Sequence, residues 1–218
     1  MKKLLLINFM CIILTACGAA PTETATAPLS TPEAVSATPT VSIPDAPVET
    51  SAPATDDFFT QNGITLPAPV CTGATQEQTE GPYYTAGSPQ RNVLFEEGMP
   101  GTHLIVVGYV LDQNCQPLSN AWLDFWQADA SGEYDNAGYT MRGHQFTDSQ
   151  GRYYLDTIFP GLYSSRPIEH IHVKVKPEGG AEITSQLYFP GQPIEGLTVT
   201  IEERDGYLVG YFNFVVQK

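Results

Sequence analysis

Leu4 to Leu14 is almost wholly apolar, and no later stretch repeats that run. From about Pro67 the apolar positions come in short segments separated by turn formers, as β-strands do. On a strand, alternate side chains share one face. Seven segments predict strands: His103–Leu111, Ala121–Trp126, Arg152–Thr157, His170–Val175, Thr184–Phe189, Leu197–Glu202 and Tyr207–Val215. Turn formers punctuate them, among them Asp112-Gln113-Asn114, Ser149-Gln150-Gly151, Glu178-Gly179-Gly180 and Asp205-Gly206. No segment after residue 60 carries a helical period over three turns. The pattern predicts an all-β chain, a single-domain β-sandwich over residues 67–218 preceded by a disordered tether.

Composition accounts for the rest of the chain. Residues 18–57 hold seven prolines and eight threonines and no Lys, Arg or Trp. Such a stretch cannot bury enough apolar surface to offset its ordering entropy, so residues 17–66 are expected to be a linker. The apolar run at the start follows Lys2 and Lys3 and is short for a bilayer span, which predicts a signal peptide over residues 1–16. Leu14-Thr15-Ala16-Cys17 resembles the lipobox of bacterial lipoproteins. That resemblance implies a lipid on Cys17 and an extracytoplasmic protein anchored to the bacterial cell envelope. Cys71 and Cys115 then lie where disulfides persist, and with two thiols left they are expected to pair with each other. The formal net charge of −14 disfavours nucleic acid as a partner, and no phosphate-binding loop is present.

Candidate chemistry begins with Glu169-His170-Ile171-His172. On a strand His170 and His172 project together while Ile171 faces the other way, so the two imidazoles can grip one metal ion. Tyrosine supplies the second signal. A phenol ionises near pH 10, so only a strong Lewis acid holds it as phenolate at neutral pH. Tyr134 and Tyr163 sit at turn-like positions, after Ala130-Ser131-Gly132-Glu133 and Phe159-Pro160-Gly161-Leu162. Eleven tyrosines are present, and composition alone does not select these two. Trp122 and Trp126 read as core, and His103 as a surface residue. His144 reads as a neighbour of the site, and Tyr83 and Tyr84 as either pocket wall or packing.

Several motifs occur in one order: Glu80-Gly81-Pro82-Tyr83-Tyr84, Trp126-Gln127-Ala128-Asp129-Ala130-Ser131-Gly132-Glu133-Tyr134, Arg142-Gly143-His144-Gln145-Phe146-Thr147-Asp148, Gly151-Arg152-Tyr153, Thr157-Ile158-Phe159-Pro160-Gly161-Leu162-Tyr163, His170-Ile171-His172 and Thr184-Ser185-Gln186-Leu187-Tyr188-Phe189. The series resembles the intradiol ring-cleavage dioxygenases, such as the protocatechuate 3,4- and catechol 1,2-dioxygenases, over about residues 75–190. The resemblance implies the sandwich of that family. It also implies an Fe(III) cofactor held by Tyr134, Tyr163, His170 and His172, with Tyr163 also taking up a substrate proton. Arg166 and Gln186 correspond to the family's arginine and glutamine near the metal. The implied substrates are O₂ and a catechol-type diol, cleaved to a muconate-type diacid. One departure stands out. The family spaces Arg-x-x-His-x-His, whereas Arg166-Pro167-Ile168-Glu169-His170 has one residue more, so Arg166 must reach the site through a bulge. Two rival readings stay open on the residues alone. One is a non-catalytic cell-surface binding module; the other is a zinc hydrolase using His170, His172 and Glu169.

Overall fold

The computed structural model describes residues 55–163 and 166–218. The expected signal peptide, Cys17 and the tether as far as residue 54 lie outside the described residues. Nine strands form two sheets. One holds β1 (His103–Leu111), β4 (Arg152–Ile158), β7 (Thr200–Arg204) and β8 (Tyr207–Tyr211) in the order β4-β1-β8-β7, with β9 (Phe214–Val215) paired to β1. The other holds β2 (Trp122–Trp126), β3 (Arg142–Phe146), β5 (His170–Lys176) and β6 (Ile183–Tyr188) in the order β3-β2-β5-β6, antiparallel throughout.

The two-residue period sets which side chains fill the space between the sheets. Leu104, Val106 and Leu155 meet Leu123, Phe125, Ile171, Val173, Val175 and Leu187, all fully buried. Removing such a side chain from water contributes about 1.5–3 kcal/mol each. Because Ile171, Val173 and Val175 face inward, His170, His172 and Lys174 must face outward. The register then lines up rows across the outer face of the second sheet. Arg142 lies opposite Trp126, Trp126 opposite His172 and His172 opposite Gln186.

A strap formed by residues 75–95 crosses this outer face as far as Ser88 and then runs along β3 toward β4, where Leu94 joins the core between the sheets. Its backbone is tied down by Gln78 donating to the Thr184 carbonyl and Arg91 to the His144 carbonyl. Gly81, at a φ of 74°, crosses directly over the His172 ring, where an added Cβ would already sit 3.4 Å from Cε1. Upstream of the strap, Cys71 and Cys115 form the expected disulfide, which fastens its approach to the turn after β1.

Four differences from the sequence reading have physical causes. First, α1 (Thr55–Gln61) lies inside the stretch assigned to the linker. Phe58 stacks on Tyr154 with ring centroids 3.6 Å apart, and Phe59 and Ile64 join it over Ile105, Val107 and Val209. Two aromatics on a seven-residue helix give too brief a period to read, yet they cover the outer face of the first sheet. Second, β3 lacks apolar alternation because its inward positions are Gly143 and Gln145. Gly143 admits the Arg91 backbone, which a Cβ would meet at 2.5 Å, and Gln145 donates to the Tyr154 carbonyl. Third, the apolar alternation Leu197-Val199-Ile201 continues through a crossing between sheets. The chain bonds to Tyr188 at the edge of β6 before pairing with β8. Fourth, Tyr207–Val215 breaks at Phe212–Asn213, where the Asn213 side chain replaces a ladder partner of Tyr109 and the Phe212 carbonyl crosses Gly108.

Candidate metal centre

Two loops and one strand supply the four residues singled out as ligands. In the loop carrying Tyr134, the Asp129 carboxylate accepts from the amides of Ser131 and Glu133 and from the Ser131 hydroxyl. This closes a tight turn with Gly132 at a φ of 86°. The loop carrying Tyr163 packs against it at backbone distance. An added Cβ on Gly132 would fall 2.0 Å from the Leu162 carbonyl oxygen, and one on Gly161 would fall 2.5 Å from that of Ala130. Gly161 also donates its amide to the Asp129 carbonyl. Glycine two residues before each tyrosine is therefore what lets the two phenols meet.

The four rings close a circuit. Centroids lie 5.7 Å apart for Tyr134 and Tyr163, 6.0 Å for Tyr163 and His170, 4.7 Å for His170 and His172, and 6.3 Å for His172 and Tyr134. Three of the four donor atoms converge inside it, those of Tyr134, His170 and His172. The two histidine Nε2 atoms are 3.1 Å apart, and Tyr134 Oη is 3.4 Å from His170 Nε2. Donors that share a metal at bonds of about 2 Å lie roughly 3 Å from each other.

The histidine chemistry fits the same purpose. His170 Nδ1 lies 2.7 Å from the Ile168 carbonyl, so this nitrogen carries the proton and Nε2 presents a lone pair. His172 Nδ1 is buried without a hydrogen-bond partner. With its proton on Nδ1, His172 turns its Nε2 lone pair toward that of His170 at 3.1 Å, an arrangement that a cation between them relieves. Burial lowers both imidazoles, with His170 at about 4, and the nearby Arg166 charge adds to the effect. Both are thus neutral at physiological pH, the form that ligates. Burial, then the neighbouring Tyr163, raises the Tyr134 phenol, so without a metal its proton stays on. Trp126 stacks parallel to His172 at 4.8 Å and fixes that ring's plane. Trp122 and Trp126 therefore belong to the outer, site-bearing face rather than to the core between the sheets.

Arg166 reaches this region through a tight turn. Its amide donates to the Tyr163 carbonyl, and the Ile168 amide donates back to the Arg166 carbonyl, which absorbs the additional residue. Its Nη2 donates to the Tyr188 hydroxyl at 2.6 Å. That hydroxyl donates to Gln186 Oε1 at 2.8 Å, and Gln186 Nε2 donates to the Thr79 carbonyl of the strap at 2.7 Å. Gln186 is fully buried.

A cavity of about 430 Å³ opens beside Tyr134 and Tyr163 and is further lined by Tyr83, Ser131, Gly132, Glu133, Asn136, Leu162 and Pro167. Tyr83 stacks on Tyr134 at 4.4 Å and so forms pocket wall. Tyr84 instead donates to Asp124 in a neighbouring polar row with Ser88 and His144. His103 lies away from the centre, paired with Asp156 at 2.6 Å and stacked on Phe95, rather than free on the surface. Among the described residues no group of three or more His, Cys, Asp and Glu side chains converges, so Glu169 does not complete a zinc-type triad with the two histidines.

A protein-family model described as dioxygenase matches residues 79–206, more than half of the chain. This chain belongs to the intradiol dioxygenase family. It is 29% identical over 165 residues to catechol 1,2-dioxygenase of Acinetobacter baylyi, covering 62% of this chain and 53% of that enzyme. It thus spans about half the length of the curated relatives it matches. Among solved structures it resembles the dioxygenase domain of a dioxygenase carbohydrate-binding protein fusion from Streptomyces sp. SirexAA-E, with a TM-score of 0.64 and 43% identity over 66% of this chain and 98% of that one. It also resembles the 3-chlorocatechol 1,2-dioxygenase of Rhodococcus opacus 1CP, with a TM-score of 0.60 and 27% identity over 67% of this chain and 74% of that one. The similarity to these dioxygenases favours an oxygenase over the binding-module and zinc-hydrolase readings. Sequence reading missed Tyr188 and Trp126 as site residues. Tyr188 stands two residues from Gln186 on one strand face and opposite His170 in the ladder, and Trp126 stands opposite His172.

Proposed function

We propose that this chain is a non-haem Fe(III) dioxygenase that inserts both atoms of O₂ into a catechol-type diol. The ring opens between the two hydroxyl-bearing carbons to give a muconate-type diacid. One observation carries the reading: two phenols and two imidazoles from separate stretches close a circuit, with polar atoms 3.1 and 3.4 Å apart. Two hard phenolate donors beside two neutral imidazoles suit a trivalent iron better than a soft or purely tetrahedral site does.

Tyr134, Tyr163, His170 and His172 would hold the metal. When bound, it would supply a Lewis acid that withdraws electron density from the aromatic diol. Tyr163, half-buried at the cavity, would be held as phenolate when the metal is bound and would take up the proton of one diol hydroxyl at Oη, the other diol proton leaving to solvent. Arg166 offsets negative charge that develops on the diol carbons and oxygens, an effect strengthened where water is scarce. The Gln186 amide is engaged by Thr79 and Tyr188, so it acts as a positioning residue that holds the Tyr188 hydroxyl against Arg166. Tyr83 and Leu162 flank the substrate ring. The diacid has the composition of diol plus O₂, so no external reductant enters the balance. That suits an enzyme outside the cytoplasm on a lipid anchor at Cys17. The apolar run after Lys2 and Lys3 and the Cys71–Cys115 disulfide both support that placement.

Iron-loaded protein given catechol under ¹⁸O₂ is expected to yield a muconate carrying both labelled atoms. A product with one labelled atom, an extradiol semialdehyde, or no O₂ uptake across a panel of catechols overturns the proposal.

A further inference from the structure

The cavity is electrically lopsided, and that asymmetry bears on the substrate. At its inner end lie the phenols, and beyond them the Arg166 guanidinium sits on the hydroxyl of Tyr188, which lies opposite His170 in the ladder. At its mouth Glu133 and Asn136 are exposed, beside Leu162 at 47% exposure. Residues 129–135 carry three carboxylates. Asp129 is held by the amides of Ser131 and Glu133. The amides of Thr140, Ala137 and Gly138 hold the Asp135 carboxyl well below the usual carboxylate range. Glu133 lies between them and lines the cavity. No lysine, arginine or histidine lines this cavity among the described residues, and the two residues between Tyr163 and Arg166 are serines. The Arg166 guanidinium is spent at the inner end on the Tyr188 hydroxyl.

A diol seated with its oxygens toward the phenols must send its ring substituents to the mouth. A carboxylate there would meet Glu133 with no compensating cation, whereas an ammonium or a neutral chain would not be repelled. We propose that the site selects uncharged or cationic catechols over carboxylated ones, and that Glu133 is the residue that sets this selection. The inference rests on the dioxygenase reading above.

Three diols of nearly equal size separate charge from shape: 4-ethylcatechol, 4-(2-aminoethyl)catechol and 3,4-dihydroxyphenylacetate. With the iron-loaded protein, kcat/KM for the acetate is expected to be about tenfold or more below that for the ethyl compound, as charges a few ångströms apart at partly exposed sites give. Dissociation constants measured without O₂ should show the same order, and raising ionic strength should narrow the gap. Glu133→Lys should raise the acetate-to-ethyl ratio about tenfold. Glu178→Lys, which makes the same charge change in the exposed turn after β5, should leave that ratio unmoved. If all three diols are cleaved with similar kcat/KM and Glu133→Lys does not shift the ratio, the selectivity inference falls while the dioxygenase reading stands. If none of the three is cleaved or bound, both fall.

Discussion

Tyr134→Phe is expected to abolish stoichiometric iron binding and to lower kcat/KM on catechol about a thousandfold, the equivalent of roughly 4 kcal/mol of transition-state stabilisation. The substitution deletes a single oxygen. The ring keeps its stacking on Tyr83 at 4.4 Å and stays buried in the cluster with Trp126 and Ala128. Without metal, that oxygen's contact is a 3.4 Å approach to His170 Nε2, so folding stability should change by less than about 1 kcal/mol. Iron analysis, O₂ uptake and thermal unfolding of the metal-free variant measure the three effects separately. An iron-replete variant with near-native activity would remove Tyr134 from the ligand set.

Gly132→Ala is expected to damage the centre without touching a ligand. The residue needs a φ of 86°, which costs an L side chain about 1 kcal/mol or more. The new methyl would also lie 2.0 Å from the Leu162 carbonyl, and the backbone is the wall it meets. Either the Tyr134 turn or the Tyr163 loop must shift. A displacement of that order between groups that must share one metal should cost about a hundredfold or more in activity. Stability should fall by about 2 kcal/mol, with the β-sheet far-ultraviolet signal retained. Loss of folding altogether would show that the turn does more than set the tyrosines.

Much of this arrangement is legible in the chain. Strands β1, β2, β4, β5 and β6 follow from short apolar segments between turn formers; β5 alternates because one face is buried against the opposite sheet, whereas β1 is apolar on both faces because α1 covers its other side. The outward direction of His170 and His172 follows from the inward direction of Ile171 and Val173. What stays hidden is whatever depends on close backbone approach or on neighbours distant in sequence. The β3 strand reads as loop because glycine and glutamine fill its inward positions, where the strap and the Tyr154 carbonyl lie close. Helix α1 reads as tether because Phe58, Phe59 and the nearby Ile64 are too few to show a helical period; what they cover, Tyr154 among it, lies far along the chain. Tyr134 and Tyr163 stand out from the other tyrosines through the family motifs alone. The glycine two places before each gains its meaning once the two loops are seen to touch. The Arg166 turn, the Tyr188 relay and the Trp126 stack depend on cross-strand register, which a single sequence does not fix.

The most direct test of the centre is the visible absorption spectrum of purified protein, read alongside its iron content. Two phenolates on one ferric ion should give a burgundy charge-transfer band at one iron per chain. Protein that holds a full complement of iron and stays colourless would contradict the ligand set on which the account is built.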